Sequence, residues 1–243
     1  MSLLVTTVLF DYPSYYQPTF YERCAAGGIL PEDIHVQRYD TAASPPPNGE
    51  VSLYSKLAWF KINKHLEYLK SVLHKYEYTL FLDALDTNFL RRADGLLREY
   101  LSFNCDIVMC AEKGMWPPTP YSHLYNSSPT DSEYRYLNSG CMIGKTKSII
   151  SALEEAVNNE FLMTPYDDQA IWTNLYLLKK ADIVLDAEQR LFFSTHLSKH
   201  KTLVEKDIPI GIQSSAFIVH DNGPWGNETI KLTDACNSLP LDL

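Results

Sequence analysis

Tyr78-Thr-Leu-Phe-Leu-Asp-Ala-Leu-Asp-Thr-Asn-Phe-Leu90 is the stretch on which the reading of the whole chain turns. Thr79 to Leu82 is an apolar, β-favouring run of the kind that forms a buried strand. It ends abruptly in two carboxylates three residues apart, Asp83 and Asp86. Open α/β sheets bind ligands at the carboxyl ends of their strands. Acids emerging there can share one divalent cation, and the cation can hold a diphosphate. The plainer reading is that the two acids start a turn or cap a following helix. The stretch alone leaves both readings open.

Outward from it, composition sets bounds. At 243 residues, 45% hydrophobic and 21% charged, the chain has the balance of an ordinary globular protein and enough length for a sizeable core. A net charge of −9 without a basic cluster argues against nucleic acid as a partner, though one Lys, a metal and backbone amides suffice for a single nucleotide. Five cysteines (Cys24, Cys105, Cys110, Cys141, Cys236) show no CxxC pair and no zinc spacing, and their apolar neighbours suggest buried thiols in a reducing compartment. Met1 to Phe10 lacks the basic start and small-residue cleavage site of a signal peptide and reads as a first strand. No stretch is long enough to span a membrane, so the expected location is cytoplasmic. Asn126-Ser-Ser and Asn227-Glu-Thr match the glycosylation pattern, a match common by chance.

Strands and helices alternate through the first half. Leu3 to Phe10 and Ile34 to Tyr39 read as strands, with a short helix between them ending near Gly27-Gly28. Thr41 to Gly49, with Pro45 to Pro47, is an irregular loop. Ser52 opens a helix with a stripe of Leu53, Leu57, Phe60, Leu66, Leu69 and Leu73, and Lys56 lies in its first turns. Arg91 to Leu101 reads as a helix and Asp106 to Cys110 as another buried strand. This alternation calls for a largely parallel α/β sheet.

The second half opens with a Pro/Tyr/Ser/Asn-rich loop from Ala111 to about Ser132. Tyr136 to Gly144 reads as a short strand that needs small residues, Lys145 to about Asn158 as a helix, and Tyr166-Asp-Asp-Gln-Ala-Ile-Trp172 as an N-capped helix continuing to Leu178. Ala181 to Leu185 and Leu191 to Phe193 are short strands. Phe217-Ile-Val-His-Asp-Asn-Gly-Pro-Trp225 is a strand broken by a turn with His220 at its tip.

Four polar clusters therefore fall at the ends of elements: Asp83/Asp86, Asn138-Ser139-Gly140, Asp167-Asp168-Gln169 and His220-Asp221-Asn222. Each has a bland reading. Asp167 and Asp168 stand where helix-capping acids stand, Asn138-Ser-Gly is an ordinary turn, a lone strand-end His is most often hydrogen-bonded surface, and Trp116 suits a core.

Taken together and in order, the runs Phe81-Leu-Asp-Ala-Leu-Asp-Thr, Cys110-Ala-Glu-Lys-Gly-Met-Trp-Pro, Leu137-Asn-Ser-Gly-Cys-Met-Ile-Gly, Asp167-Asp-Gln and His220-Asp-Asn-Gly-Pro resemble the glycosyltransferase domain of procollagen lysyl hydroxylases (the PLOD type). The resemblance runs from about Val51 to Trp225 and does not extend to the hydroxylase domains. It implies a GT-A fold, a Rossmann-like mixed, largely parallel sheet flanked by helices in a single domain, with about 1–110 as the nucleotide-binding half and about 111–243 as the acceptor-binding half. It implies a hexosyltransferase-like enzyme that uses a UDP-sugar with Mn²⁺ (or Mg²⁺) and a carbohydrate or glycoprotein acceptor. Asp83, Asp86 and His220 are the implied metal ligands, and Lys56 the implied contact to the donor diphosphate. Leu85 stands where the family carries a Tyr on the uracil, a departure for which Tyr12 or another aromatic of the first loop is the candidate substitute. Trp116, Asn138, Asp168 and Asn222 line the implied acceptor side, and Asp167 and Asp168 are the implied catalytic acids.

The chemistry agrees with those roles. A divalent ion and a lysine stabilise the charge that develops on departing UDP. Two carboxylates and an imidazole suit Mn²⁺ better than the all-oxygen preference of Mg²⁺. An Asp at 167 or 168 would be the general base of an inverting enzyme, and a positioning group in a retaining one. A nucleotidyltransferase is the nearest competitor, but the turn after the first strand, Asp11-Tyr-Pro-Ser-Tyr-Tyr, lacks its glycines. The other alternative is a sugar-nucleotide-binding module without turnover.

Overall fold

The computed structural model of the chain describes residues 2–10, 16–39, 53–127, 131–159, 167–197 and 214–222, with the side chains of 10, 16–18, 39 and 53–57 outside that description. The expected proline loop at 41–49, Tyr12 and the turn after Asn222 also lie outside it.

The decisive stretch is a strand. β3 (Tyr78–Leu82) is buried along its whole length, because the sheet around it is covered on both faces. Its neighbours are β1 (Leu3–Phe10), which pairs with it in parallel, and β6 (Tyr136–Lys145), which runs antiparallel. With β2 (Ile34–Tyr39), β5 (Ile107–Glu112) and β7 (Ile183–Asp186) they form one sheet in the order β2-β1-β3-β6-β5-β7, in which only β6 opposes its neighbours. The sheet is mixed and largely parallel, as expected. It takes strands from both sides of residue 110.

Alternate residues of the strands feed two separate cores. Leu4, Val8, Phe81, Ile107, Met109 and Met142 meet α2 (Leu53–Val72), α4 (Thr146–Asn158) and α5 (Asp168–Leu177). Val5, Leu9, Leu80, Leu82, Val108 and Ile143 meet α1 (Tyr16–Ala26) and α3 (Leu96–Leu101). On that second face the layer also includes a small sheet of β4 (Thr87–Phe89), β9 (Ile218–His220) and β8 (Phe192–Ser194), whose Phe89, Ile218 and Phe192 enter the same core.

Three expectations shift. The helix expected from Arg91 shortens to a 3-10 turn at Ala93–Gly95 and α3, since Leu90 donates to the Phe217 carbonyl at 2.8 Å and the Arg91 guanidinium lies 3.7 Å above the Phe217 ring. β5 runs on to Glu112, and the loop beyond it contains a 3-10 helix at Ser122–Ser127. The strand expected to be short at Tyr136 is ten residues long, buried except at its ends. Cys24, Cys105, Cys110 and Cys141 are free thiols, and Cys236 lies outside the described residues. Among the described residues no helix is long and apolar enough to cross a membrane.

Candidate functional site

Asp83 follows the last residue of β3, and its amide donates to the Gly140 carbonyl at 2.7 Å, so the β3–β6 pairing carries one step past the strand. Asp86 precedes β4, whose register sets Thr87 opposite His220 of β9. The Asp221 amide then donates to the Asp86 carbonyl at 2.8 Å. The small sheet thus delivers an imidazole from 134 positions later in the chain to the acid turn, a juxtaposition no local pattern encodes.

One donor atom each from Asp83, Asp86 and His220 lie within 4.8 Å of one another. His220 Nε2 is 3.4 Å from Asp86 Oδ2 and 3.9 Å from Asp83 Oδ2. The imidazole is seated against Gly140: a Cβ there would stand 2.1 Å from its Cε1, so only glycine leaves room for the ring. Burial would lower the pKa of His220, but the charge and hydrogen bond of Asp86, then Asp83 and Glu112, outweigh it and raise it. Asp83 is raised by burial and by the charges of Asp86 and Asp168, against the pull of Lys61 and His220. For Asp86 burial is overcome by His220, and the carboxyl is held below its ordinary value. Two clustered carboxylates with an imidazole nitrogen aimed between them form a donor set that fits one divalent metal ion.

A second cation is already in place. Lys61 of α2 places Nζ 3.0 Å from Asp83 Oδ1 and 2.8 Å from Asp168 Oδ2, joining the acid turn to the start of α5. Burial opposes its charge, yet these two acids raise its pKa. Asp168 is the first residue of α5. Asp167 is its N-cap, with Oδ1 accepting the Ala170 amide at 2.9 Å, while burial and the neighbouring Asp168 push its pKa up to about 6. The capping reading therefore describes Asp167, and Asp168 is the acid that faces the cluster.

Glu112, the last residue of β5, forms the other wall. Gln169 Nε2 donates to its Oε1 at 2.8 Å and Asn222 Nδ2 donates to its Oε2. Gln169 also donates to the Trp116 carbonyl and accepts the Ser139 amide at 3.1 Å, while Asn138 Oδ1 accepts the Gly140 amide at 2.9 Å. A register shift between Met109 and Cys110 makes this possible: Met109 opposes Met142 and Cys110 opposes Asn138, so Ser139 to Cys141 bulge free of β5. Burial lifts Glu112 to about 7 against the hydrogen bonds of Gln169, Asn138 and Asn222. A carboxyl raised on folding opposes the fold when ionised. Its penalty is absent below its ordinary value near 4.5 and complete once pH has risen past about 7. Glu112→Gln should flatten that portion of the stability profile, worth about 3 kcal/mol. Urea midpoints of parent and variant from about pH 4 to about pH 8 check it; a constant difference between them contradicts it.

The other expected residues fall as follows. Trp116 is 66% exposed beside this wall, with its carbonyl tied to Gln169. Leu85 is half-buried against the core beneath the small sheet. Lys56 belongs to α2, but its side chain lies outside the described residues; among the described residues the lysine that meets the acids is Lys61. Sequence reasoning placed Gln169 in a polar cluster without giving it a role and missed Lys61 and Glu112, although both left a trace. Lys61 interrupts the apolar face formed by Ala58, Ile62, Leu66 and Leu69, and Glu112 ends a buried strand just as Asp83 does.

Comparison with known proteins bears on the family and the fold. The family described as the PLOD GT domain matches residues 60–237. The uncharacterized protein R699 of Acanthamoeba polyphaga mimivirus is 26% identical over 168 residues, 68% of this chain and 35% of that protein, so the chain spans about a third of that relative's length. Among solved structures, a glycosyltransferase involved in the glycosylation of the major capsid of PBCV-1 aligns with 97% of this chain and 100% of its own (TM-score 0.50, 12% identity). Mouse xyloside xylosyltransferase 1 in its apo form aligns with 91% of this chain and 98% of its own (TM-score 0.50, 11% identity). At such identities the likeness concerns the fold, which is GT-A.

Proposed function

We infer that this chain, which belongs to the family of PLOD glycosyltransferase domains and is a glycosyltransferase, uses a UDP-sugar with a divalent metal ion, most naturally Mn²⁺. The observation that carries the reading is the convergence of Asp83, Asp86 and His220 at the carboxyl end of the central strand. When bound, the cation would supply Lewis-acid stabilisation to the departing diphosphate. Asp83, Asp86 and His220 would hold it. Lys61, fixed between Asp83 and Asp168, would supply a further positive charge beside the metal ligands, the part the sequence reading gave to Lys56.

On the acceptor side, Asp168 is the acid best placed to orient a hydroxyl, since Asp167 is engaged in capping. Glu112, Gln169, Asn138 and Asn222 form a polar wall whose members hold one another in fixed orientations. The exposed Trp116 ring beside it offers an apolar face on which a sugar ring can stack. The acceptor is a hydroxyl of a carbohydrate or a glycoprotein.

Incubating the chain with UDP-sugars and Mn²⁺ and measuring free UDP tests the reading. Metal-dependent release supports it, and binding of a UDP-sugar without release under any acceptor would make the chain a non-catalytic module. Asp168→Asn should lower the transfer rate about 10²-fold or more while leaving UDP affinity within a few-fold of the parent. Equal losses in both would remove Asp168 from the acceptor side.

A further inference from the structure

Helix α1 brings a cation into the interior behind the acid turn. Arg23 is only 5% exposed. Its guanidinium donates to the Thr87 carbonyl at 2.7 Å, to the Leu85 carbonyl at 3.3 Å and to the Ala84 carbonyl, while Nε donates to Thr19 within its own helix at 3.3 Å. Ala84 and Leu85 separate the two acids, and Thr87 follows Asp86 and lies opposite His220. One side chain therefore grips the backbone of the turn that bears two candidate ligands and of the strand that aligns the third. α1 is itself docked against that strand. The Phe89 ring occupies the space beside Gly27, where a Cβ would stand 2.5 Å from the ring, and the Ala93 amide donates to the Gly27 carbonyl at 2.8 Å.

A core alone does not call for this arrangement. Desolvating a guanidinium is costly, and an apolar side chain of similar volume would fill the same space without that cost. What a guanidinium adds is a rigid planar fork that can satisfy several carbonyls at once, which a lysine ammonium on a flexible stem cannot reproduce.

We propose that Arg23 is a positioning residue for the metal site. By fixing the Ala84, Leu85 and Thr87 carbonyls it sets the directions in which Asp83 and Asp86 leave the backbone, and thereby the affinity of the site for its cation. The proposal rests on the reading of Asp83, Asp86 and His220 as metal ligands. Groups that orient metal ligands commonly change metal affinity 10- to 100-fold when replaced.

The test combines Mn²⁺ titration followed by paramagnetic resonance with amide hydrogen exchange of the 83–87 segment, in the parent, Arg23→Lys, Arg23→Gln and Asp86→Ala. Arg23→Lys keeps the charge and most of the volume and is the variant to rely on if Arg23→Gln fails to fold. The expected result is Mn²⁺ affinity lowered about 10-fold or more, faster exchange in the turn, and turnover that returns near the parental value at saturating Mn²⁺. Arg23→Lys with parental affinity and parental exchange overturns the proposal, as does lowered turnover at unchanged half-saturation by Mn²⁺. If Asp86→Ala binds Mn²⁺ like the parent, the metal-site reading itself has failed. Exchange then still decides about Arg23: a faster turn upholds its grip on the backbone, and an unchanged turn refutes it.

Discussion

Asp83→Ala and Asp86→Ala are each expected to lower Mn²⁺-supported UDP binding more than about 100-fold, beyond what loss of an orienting neighbour costs, with the fold intact. Each substitution leaves the cluster with two donors in place of three, and a divalent ion held by one carboxylate and one imidazole competes poorly with water. The fold has little reason to suffer. The Asp83 carboxyl resists ionisation because of burial and neighbouring acids, so removing it relieves repulsion, and Lys61 keeps Asp168 as a partner. The melting temperature without metal should therefore be unchanged or slightly higher for Asp83→Ala. For Asp86→Ala a small loss is expected, because Asp86 is favourably paired with His220. A variant that bound UDP and Mn²⁺ like the parent would show the assignment to be wrong.

Gly140→Ala is the second large effect, and it reaches the same site from the strand opposite. An added methyl would stand 2.1 Å from Cε1, 2.6 Å from Nε2 and 2.8 Å from Nδ1 of His220. The imidazole is rigid and buried, on a strand whose neighbours fix its height, so it must rotate or the strands must part. Overpacking of this sort typically costs 1–3 kcal/mol. More tellingly, it displaces Nε2 from the two carboxylates. Gly140→Ala should fold, melt a few degrees lower and bind Mn²⁺ at least about tenfold more weakly. A variant of lowered stability with parental Mn²⁺ affinity would separate the packing of His220 from its role as a ligand.

These three substitutions also mark what could be read in advance. The Asp83/Asp86 pair was legible because both features that define it are local: an apolar run long enough for a buried strand, and acids at its carboxyl end. Gly140 was legible as a place needing a small residue, but the neighbour requiring it was not, since His220 lies 80 positions further along the chain. β4 is three residues long and takes its meaning from β9, so no periodicity announces it. Lys61 stands on a helix of several lysines, and only packing shows that it turns to the sheet: it lies in the stripe of Ala58, Ile62, Leu66 and Leu69 and sits 4.8 Å from the centre of the Phe81 ring. Asp167 and Asp168 look alike in sequence, and helix geometry separates them into a cap and a partner of Lys61. Arg23 left no trace, because a buried arginine serving backbone carbonyls has no partner residue type to recognise.

The resulting picture is one of a central strand that ends in a turn held from three directions. β6 holds it through Gly140, the small sheet through His220 and Asp221, and α1 through Arg23. The polar wall of Glu112, Gln169 and Asn138 grows from the bulge in β6 and the end of β5, so β6 supports both the wall and the turn.

Calorimetric titration of UDP into the chain, once with Mn²⁺ and once with the metal removed by EDTA, tests the central claim most directly. The account predicts binding with Mn²⁺ and its loss in EDTA, restored when excess Mn²⁺ is added back. Equal affinity for UDP with and without the metal would contradict it.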